Sequence, residues 1–143
     1  MSWAEIVAAA EDLRRATAVP GLRLAGIGWA TVDLERARAE LDGLLAGDPR
    51  APALQLWAPL EGDLQLGARG SVRAPSEPGS SPALVALEPD TEGRLAAFLV
   101  RFGEGIAVIY LGEGLPRQGR LLPGGPAWGP HVVVLDSDER PLP

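Results

Sequence analysis

The sequence predicts an α+β fold in which amphipathic helices pack on a β-sheet. The first observation is segment 84–111, where two apolar strands flank an amphipathic helix. The second is segment 22–46, where a strand runs directly into another amphipathic helix. The third is a series of short apolar stretches bounded by glycine and proline. With 143 residues, the chain is expected to form a single domain, residues 1–143.

Segment 84–111 has the clearest pattern. Residues 84–87 form a short apolar strand, which ends at Pro89 because proline lacks the N–H that a sheet ladder requires. An Asp-Thr pair can cap the helix 90–102, in which apolar residues recur at helical spacing. The Gly-Glu-Gly sequence at 103–105 ends this helix, and residues 106–111 are predicted to form a buried strand.

Two further helices are predicted upstream. Ser2 and Glu5 fit a capping box, which predicts a helix that continues to the Val-Pro-Gly turn at 19–21. We interpret this helix as a packing element or a dimer contact rather than as a lid over a ligand. Asp33 can cap the next helix, whose leucines line one face until the Gly-Asp-Pro sequence at 47–49 closes it.

The middle of the chain contains two more strand candidates. Residues 54–60 alternate so that Trp57 lies on the face opposite Leu54, and residues 64–73 can pair with them as a hairpin. Segment 74–81 has the composition of a loop. We interpret it as an ordinary surface connection rather than as a substrate lid.

Composition excludes several classes of function. The chain has no cysteine, and all thirteen of its cations are arginine, so thiolate metal sites, thiol nucleophiles and Schiff-base lysines are excluded. A net charge of −6 argues against nucleic-acid binding, which depends on a basic face. No apolar run is long enough to span a bilayer, and no basic segment precedes an apolar one. We therefore expect a cytoplasmic protein with neither a nucleic-acid nor a membrane partner.

Two motifs resemble a known superfamily. The Leu-Glu-Pro sequence at 87–89, the following helix and the Gly-Glu-Gly sequence at 103–105 form the first motif, and GIGWATVDLERA at 26–37 forms the second. Together they resemble the vicinal-oxygen-chelate superfamily, which includes glyoxalases, methylmalonyl-CoA epimerases, ring-cleaving dioxygenases and bleomycin-resistance proteins. The matches cover residues 24–111, a little over half of the chain.

This resemblance implies βαβββ modules that form a curved mixed sheet, a half-barrel shaped like a cup. The first module then spans residues 22–89, the linking helix spans 90–102, and a shortened second module spans 105–136. The N-terminal helix, within residues 1–20, is additional to the family module. Superfamily members often pair their halves across a dimer, so we expect a homodimer.

The second module is predicted to lack its helix. Residues 112–119 form a loop in its place, residues 120–122 a short strand, and residues 131–135 the last strand. The tail that follows begins with the acidic segment 136–139, which lacks the glycine and the distal glutamate of a calcium loop. We therefore interpret this tail as a solvated end and not as a metal site.

Metal-dependent members of the superfamily take one ligand from each of four strands. The resemblance places these ligands at Gly26, Val85, Val108 and near Val133 in this chain. None of these side chains can bind a metal, because metal ions in proteins need carboxylate, imidazole, thiolate or carbonyl donors. We therefore expect no metal and no other cofactor, and an apolar floor to the cup.

Three residues are the candidates for chemistry: Tyr110, His131 and Glu88. Tyr110 shares a strand face with Val108 and Ile106, so its hydroxyl can project into the cup. His131 shares a face with Val133 and can carry a proton, although a hydrogen-bonded histidine at a strand end is the structural alternative. Glu88 is a carboxyl group at a strand end, where it can act as a general acid if the cup encloses it, although a solvated carboxylate is the structural alternative.

The predicted ligand-binding residues line the same cup or flank it. They are Gly26, Gly28, Trp57, Val85, Val108, Trp128 and Val133. The two glycines do not form a dinucleotide loop, because Thr31 occupies the third glycine position of that motif and both lie within a strand. The tryptophans suit either a core or a pocket wall, and Arg69 with Arg73 suits either an anion site or an exposed strand face.

Two hypotheses from different classes follow. The first is a metal-independent isomerase or cyclase, which acts on an apolar, oxygen-rich small molecule such as a polyketide-type intermediate by shape and general acid–base catalysis. The alternative is a non-catalytic protein that binds or sequesters such a molecule, as resistance members of the superfamily do. A metal-dependent epimerase would require ligands that the sequence does not contain. We favour the enzyme.

Overall fold

The computed structural model describes residues 2–60, 68–89, 94–115, 119–122 and 129–136. Within them lie three helices and seven strands. The helices are α1 (Trp3–Arg15), α2 (Leu34–Ala46) and α3 (Arg94–Phe102). The strands are β1 (Leu24–Ala30), β2 (Ala58–Leu60), β3 (Ala68–Arg73), β4 (Ala83–Pro89), β5 (Gly105–Leu111), β6 (Gly119–Leu121) and β7 (His131–Leu135).

The helix ends follow the predicted capping chemistry. The Ser2 hydroxyl oxygen accepts a hydrogen bond from the Glu5 N–H at 3.2 Å, which satisfies one of the unpaired amides of the first turn of α1. Asp33 caps α2 in the same way, accepting from the Arg36 N–H at 3.1 Å. Gly103 follows α3 with a φ of +77°, a conformation that glycine adopts at little cost. The predicted cap of α3 at residues 90–91 lies outside the described residues.

All seven strands belong to one mixed sheet in the order β2-β3-β4-β1-β5-β7-β6, which curls into a half-barrel. Strand β1 lies at its centre, parallel to β4 and antiparallel to β5. Strand β7 runs parallel to β5, and the edge strands β2 and β6 pair antiparallel with β3 and β7. The α+β prediction, with a curled mixed sheet and an additional N-terminal helix, is confirmed.

The sheet contains an internal repeat. In the set β1, β4 and β3, the first strand is parallel to the second and the second is antiparallel to the third, and the set β5, β7 and β6 has the same arrangement. The two sets meet where Ile27 pairs with Ile109. Strands β1 and β5 each contain a β-bulge, which is one extra residue two positions before the paired isoleucine. The extra residue is Ala25 in β1 and Ala107 in β5. The chain between β5 and β6 is too short for a counterpart of α2, so the second module is shortened as predicted.

The two faces of the sheet carry separate cores. On the helical face, α1 and α2 pack against the sheet through buried residues, among them Ile6, Leu41, Ile27, Leu84 and Ile109. On the opposite face, called here the inner face, α3 packs through Leu95 and Phe98. The sheet residues of the inner face include Val85, Leu87, Val108, Tyr110 and Val133.

The bulges change two expected side-chain directions. Alternation predicts that Ile106 shares a face with Val108 and Tyr110, and this prediction is wrong. Because Ala107 is the extra residue of β5, Ile106 pairs with Trp29 and packs with the helical core. Ala25 joins the inner-face core for the same reason.

The strand predicted at 54–60 is shorter in the structure. Only Ala58–Leu60 forms a ladder, and Leu54 makes a single bridge with Pro75. The Arg73 side chain donates to the carbonyls of Leu54 and Gln55, which takes up acceptors that a ladder would use. Residues 64–67 of the second candidate lie outside the described part of the chain.

No helix in the described part of the chain has the length and apolar run that a bilayer crossing requires.

A polar cluster joins the two modules at the end of β1. One carboxylate oxygen of Glu104 accepts from the Thr31 hydroxyl at 2.8 Å, from the Val32 N–H at 3.0 Å and from the Arg36 guanidinium. The bond from Arg36, followed by those from Val32 and Thr31, lowers the pKa of Glu104 against the opposing effect of burial. The ionised Glu104 therefore stabilises the junction between β5 and the start of α2.

We expect Glu104→Gln to lower the free energy of unfolding by about 1–2 kcal/mol at pH 7, because it removes charge-assisted hydrogen bonds. A carboxyl whose folded pKa is depressed stabilises the fold above its unfolded pKa and loses that effect as pH falls through the folded pKa. The difference between wild type and variant should therefore shrink below about pH 4. Urea denaturation at neutral and acidic pH tests this. The control is Glu40→Gln, which removes the exposed carboxylate that also pairs with Arg36. A difference that does not vary with pH would contradict it.

Candidate functional site

Two rows of residues cross the inner face at its centre. The register places Val85, Gly28, Val108 and His131 side by side on β4, β1, β5 and β7. The next row is formed by Ala83, Gly26, Tyr110 and Val133 on the same strands. The structure therefore brings seven of the predicted ligand-binding and catalytic residues to one patch.

The four positions that the resemblance assigns to metal ligands form two equivalent pairs in the repeat. Gly26 and Val108 precede the paired isoleucines Ile27 and Ile109 by one residue. Val85 on β4 and Val133 on β7 form the other pair. Val85 lies two residues after the residue that pairs with Gly26, and Val133 lies two residues after the residue that pairs with Val108. The glycine and the three valines at these positions have no side-chain atom that can bind a metal, so they do not fit a metal ion. Across the described ranges, no group of three or more His, Asp or Glu residues is placed to hold one either.

The patch is packed rather than open. Val85 and Val108 are fully buried, and Tyr110 is 2% exposed. A Cβ atom on Gly28 would lie 2.9 Å from the Val108 Cβ and 3.0 Å from the Leu87 Cδ1 atom, so neighbouring side chains already occupy that space. Phe98 of α3 belongs to the same buried cluster, so side chains of the described residues fill this part of the expected cup.

Besides the Tyr110 hydroxyl, the two rows contain one further polar side chain, that of His131. It is 5% exposed, and its Nε2 atom has no hydrogen-bond partner among the described residues. The imidazole packs closely against Gly129, since a Cβ there would lie 3.1 Å from Nε2. Burial lowers the pKa of His131, the nearby charge of Arg94 lowers it further, and a hydrogen bond to the Arg94 backbone partly opposes both. The imidazole is therefore neutral at pH 7, and no side chain of the described residues uses its buried Nε2 lone pair.

The other predicted residues lie elsewhere. Both carboxylate oxygens of Glu88 are in use, accepting from the Leu34 N–H at 2.9 Å and from Arg69 at 2.9 Å. Trp57 packs with the helical core and donates to Asp42 at 2.8 Å, so the structure does not bring it to the inner face. Trp128 lies outside the described residues. The general-acid role of Glu88 stays a prediction, and as placed Glu88 caps α2.

The two arginines considered for an anion site also have partners. Arg69 pairs with Glu88 and is otherwise exposed to solvent. Arg73 donates to Asp42 at 2.9 Å, which ties β3 to α2 and to the Trp57 ring through a shared carboxylate. These contacts favour a structural role for both side chains over anion binding.

A pocket of about 320 Å³ opens beside the inner face, at the end where β1 begins. Its inner wall is apolar and includes Ala25 and Leu115, which also belong to the inner-face core. Its rim is polar and includes Arg23, Gln55 and Ser81. Sequence reasoning missed this pocket, because its lining joins four segments that are distant in the chain.

Arg23 holds the rim together. Its guanidinium donates to the Gly79 carbonyl at 2.9 Å and to the Glu113 carbonyl, so it bridges loop 74–81 and the loop after β5. A second groove, of about 560 Å³, lies between the start of α1 and the end of α2. None of the residues that line that groove belongs to the inner-face core, whereas Ala25 and Leu115 of the pocket at Arg23 do, so the pocket at Arg23 is the better candidate for a ligand.

Comparisons with known proteins find fold similarity only. No family model matches the chain, and no curated protein matches it. Among solved structures, methylmalonyl-CoA epimerase from Mycobacterium tuberculosis is similar, with 25% identity and a TM-score of 0.49, over 69% of this chain and 61% of that one. A variant of the Streptomyces coelicolor methylmalonyl-CoA epimerase in complex with 2-nitronate-propionyl-CoA shows 20% identity and a TM-score of 0.48, over 63% and 59% of the two chains.

The chain thus spans about three fifths of the length of the solved structures it matches. These structures are enzymes of the vicinal-oxygen-chelate superfamily, the group that the sequence motifs resemble.

Proposed function

We propose that this protein is a metal-independent isomerase that moves a proton within a small, oxygen-bearing apolar molecule. The observation that carries the proposal is the buried Nε2 atom of His131, on a face that is apolar apart from the Tyr110 hydroxyl. A neutral imidazole in an apolar environment is a suitable general base near neutral pH. The absence of donor side chains at the four superfamily ligand positions supports a reaction that uses side chains alone.

The proposed step is a proton shift next to a carbonyl group. The Nε2 lone pair takes a proton from the carbon beside the carbonyl, and the electrons of that C–H bond form an enolate. The hydroxyl of Tyr110, one row away on the same face, stabilises the enolate oxygen by hydrogen bonding. The protonated His131 then returns the proton to a second carbon, and the neutral imidazole is regenerated.

A single base favours one type of isomerisation. Inversion at one carbon requires a proton donor on the opposite side of the ligand, whereas a shift between two carbons on one side requires only His131. Glu88, the carboxylate predicted for the second role, has its oxygens engaged at the start of α2. We therefore favour migration of a double bond into conjugation over epimerisation.

The test uses a β,γ-unsaturated cyclic ketone as the probe, because its conjugated isomer absorbs in the ultraviolet. We expect wild type to convert the probe and His131→Gln to reduce the rate by about 10²–10⁴-fold, the usual contribution of a general base. Val132→Ala, which alters the opposite face of the same strand, is the control and should retain the rate. Conversion that is equal in wild type and His131→Gln would overturn the proposal.

The rate should also depend on pH with a definite sign. The base must be unprotonated, and burial lowers the pKa of His131 below its usual value near 6.5. We therefore expect kcat/KM to stay constant down to about pH 6.5 and to fall only at lower pH. If kcat/KM already decreases while the pH is lowered towards 7, another group is the base.

A second candidate function is binding without conversion. The observation that favours it is the dense packing of the inner face, together with the accessible volume that the pocket at Arg23 offers beside it. In that case the ketone probe binds, as measured by calorimetry, and is recovered unchanged.

A homodimer and a cytoplasmic location stay predictions. Native mass spectrometry of the purified protein tests the homodimer.

A further inference from the structure

Leu115 separates the pocket from the buried patch. It lines the inner wall of the pocket, and its Cδ1 atom lies 2.7 Å from where a Cβ on Gly26 would be placed. Gly26 in turn lies beside Tyr110, whose Cδ2 atom would be 3.3 Å from the same Cβ. A single leucine side chain therefore fills the space between the solvent-accessible pocket and the row that contains Tyr110.

The backbone around Leu115 is held by Arg23. The Gly112 N–H donates to the Arg23 carbonyl at 2.8 Å, and the Arg23 guanidinium donates to the Glu113 carbonyl. These two bonds fix the direction in which the loop leaves β5. The position of Leu115 is thus coupled to the residue that forms the polar rim.

The pocket has a polar rim and an apolar inner wall. A guanidinium carries five N–H donors, and the Gly79 and Glu113 carbonyls use two of them, so a ligand oxygen at the rim can accept from Arg23 as well. Ser81 adds a hydroxyl to the same rim, while Ala25 and Leu115 offer only apolar atoms. This distribution suits a small amphipathic molecule, with oxygen atoms at one end and an alkyl group at the other.

We propose that Leu115 is the specificity-determining residue of this site and limits the length of the alkyl end that the pocket accepts. The ligand's oxygen-bearing end binds at Arg23, and its alkyl end extends inward until it meets Leu115. This inference rests on the proposed small-molecule binding function. It adds a ligand class, short-chain carboxylates or their amides, and a residue that sets the chain length.

The experiment is calorimetric titration with linear alkanoates of increasing length, and with the corresponding primary amides. Each buried methylene is worth about 0.8 kcal/mol, so Kd should tighten about fourfold per carbon until the chain meets Leu115 and then level off. Leu115→Ala should move this limit to longer chains, and Leu115→Phe should move it to shorter ones. Leu99→Ala is the matched control, because Leu99 packs on the same core and does not line the pocket.

Amide binding equal to carboxylate binding would show that the rim recognises the oxygen and not the charge, which supports the proposal in its neutral form. An unchanged length limit in Leu115→Ala would overturn it, as would the absence of binding to every member of both series. Leu115→Val, a smaller truncation, should shift the limit by less than Leu115→Ala and keeps the test valid if alanine disrupts folding. Failure of the ketone conversion leaves this binding series intact, so the two proposals fail separately.

Discussion

Phe98→Ala is expected to lower the free energy of unfolding by about 3–5 kcal/mol, the usual cost of removing a buried aromatic ring. Phe98 is 5% exposed and is the aromatic residue through which α3 packs on the inner face. Its ring also contacts that of Phe102, with the ring centroids 5.1 Å apart. Urea denaturation followed by circular dichroism measures the change.

Val100→Ala provides the control on the same helix. Val100 is 91% exposed, so its truncation should change the free energy of unfolding by less than about 0.5 kcal/mol. Equal effects of the two variants would show that α3 does not cover the inner face. The patch that contains Tyr110 and Val108 would then be open to ligands, and the pocket at Arg23 would not be needed as an entrance.

Local patterns were sufficient to predict most of the fold. The capping residues Ser2 and Asp33 fix where two helices begin, because their side chains bond amides within the same turn. The strands of the sheet centre are continuous apolar runs, which are typical of strands covered on both sides. Where a contact with a distant residue decided the outcome, as Arg73 does at Leu54, the prediction failed.

The candidate site was predictable in part for a related reason. Alternation along β5 and β7 places Tyr110, Val108 and His131 on one face, and the register confirms it. Alternation could not reveal the bulge at Ala107, which turns Ile106 to the other face. It also could not show whether the cup is open, because that depends on side chains from other segments.

Leu115 and Arg23 illustrate this limit. In the sequence Leu115 is one apolar residue in a glycine-rich loop, and nothing local indicates that it fills the space above Gly26. Arg23 precedes a strand, and its bonds reach the carbonyls of Gly79 and Glu113, which are far away along the chain. Such contacts exist only after the sheet has brought the loops together, so a residue-by-residue pattern does not contain them.

Gly28→Ala is expected to lower the free energy of unfolding by about 1–3 kcal/mol, the usual cost of adding a methyl group to a packed core. The new Cβ would lie 2.9 Å from the Val108 Cβ and 3.0 Å from the Leu87 Cδ1 atom. Val108 is β-branched and fully buried on the neighbouring strand, so it cannot rotate away. Gly28 is therefore required by the packing of β1 against β5, and urea denaturation measures the loss.

Gly43→Ala gives the opposite sign and isolates the cause. Gly43 lies inside α2, and a Cβ there meets nothing within 4 Å, so alanine should stabilise the protein by about 1 kcal/mol through helix propensity. Both changes restrict the unfolded chain in the same way, so the difference between them reports on the native state alone. If Gly28→Ala were also stabilising, the space above β1 would be empty. The inner face would then be an open cup able to hold a ligand beside His131 without displacing Leu115.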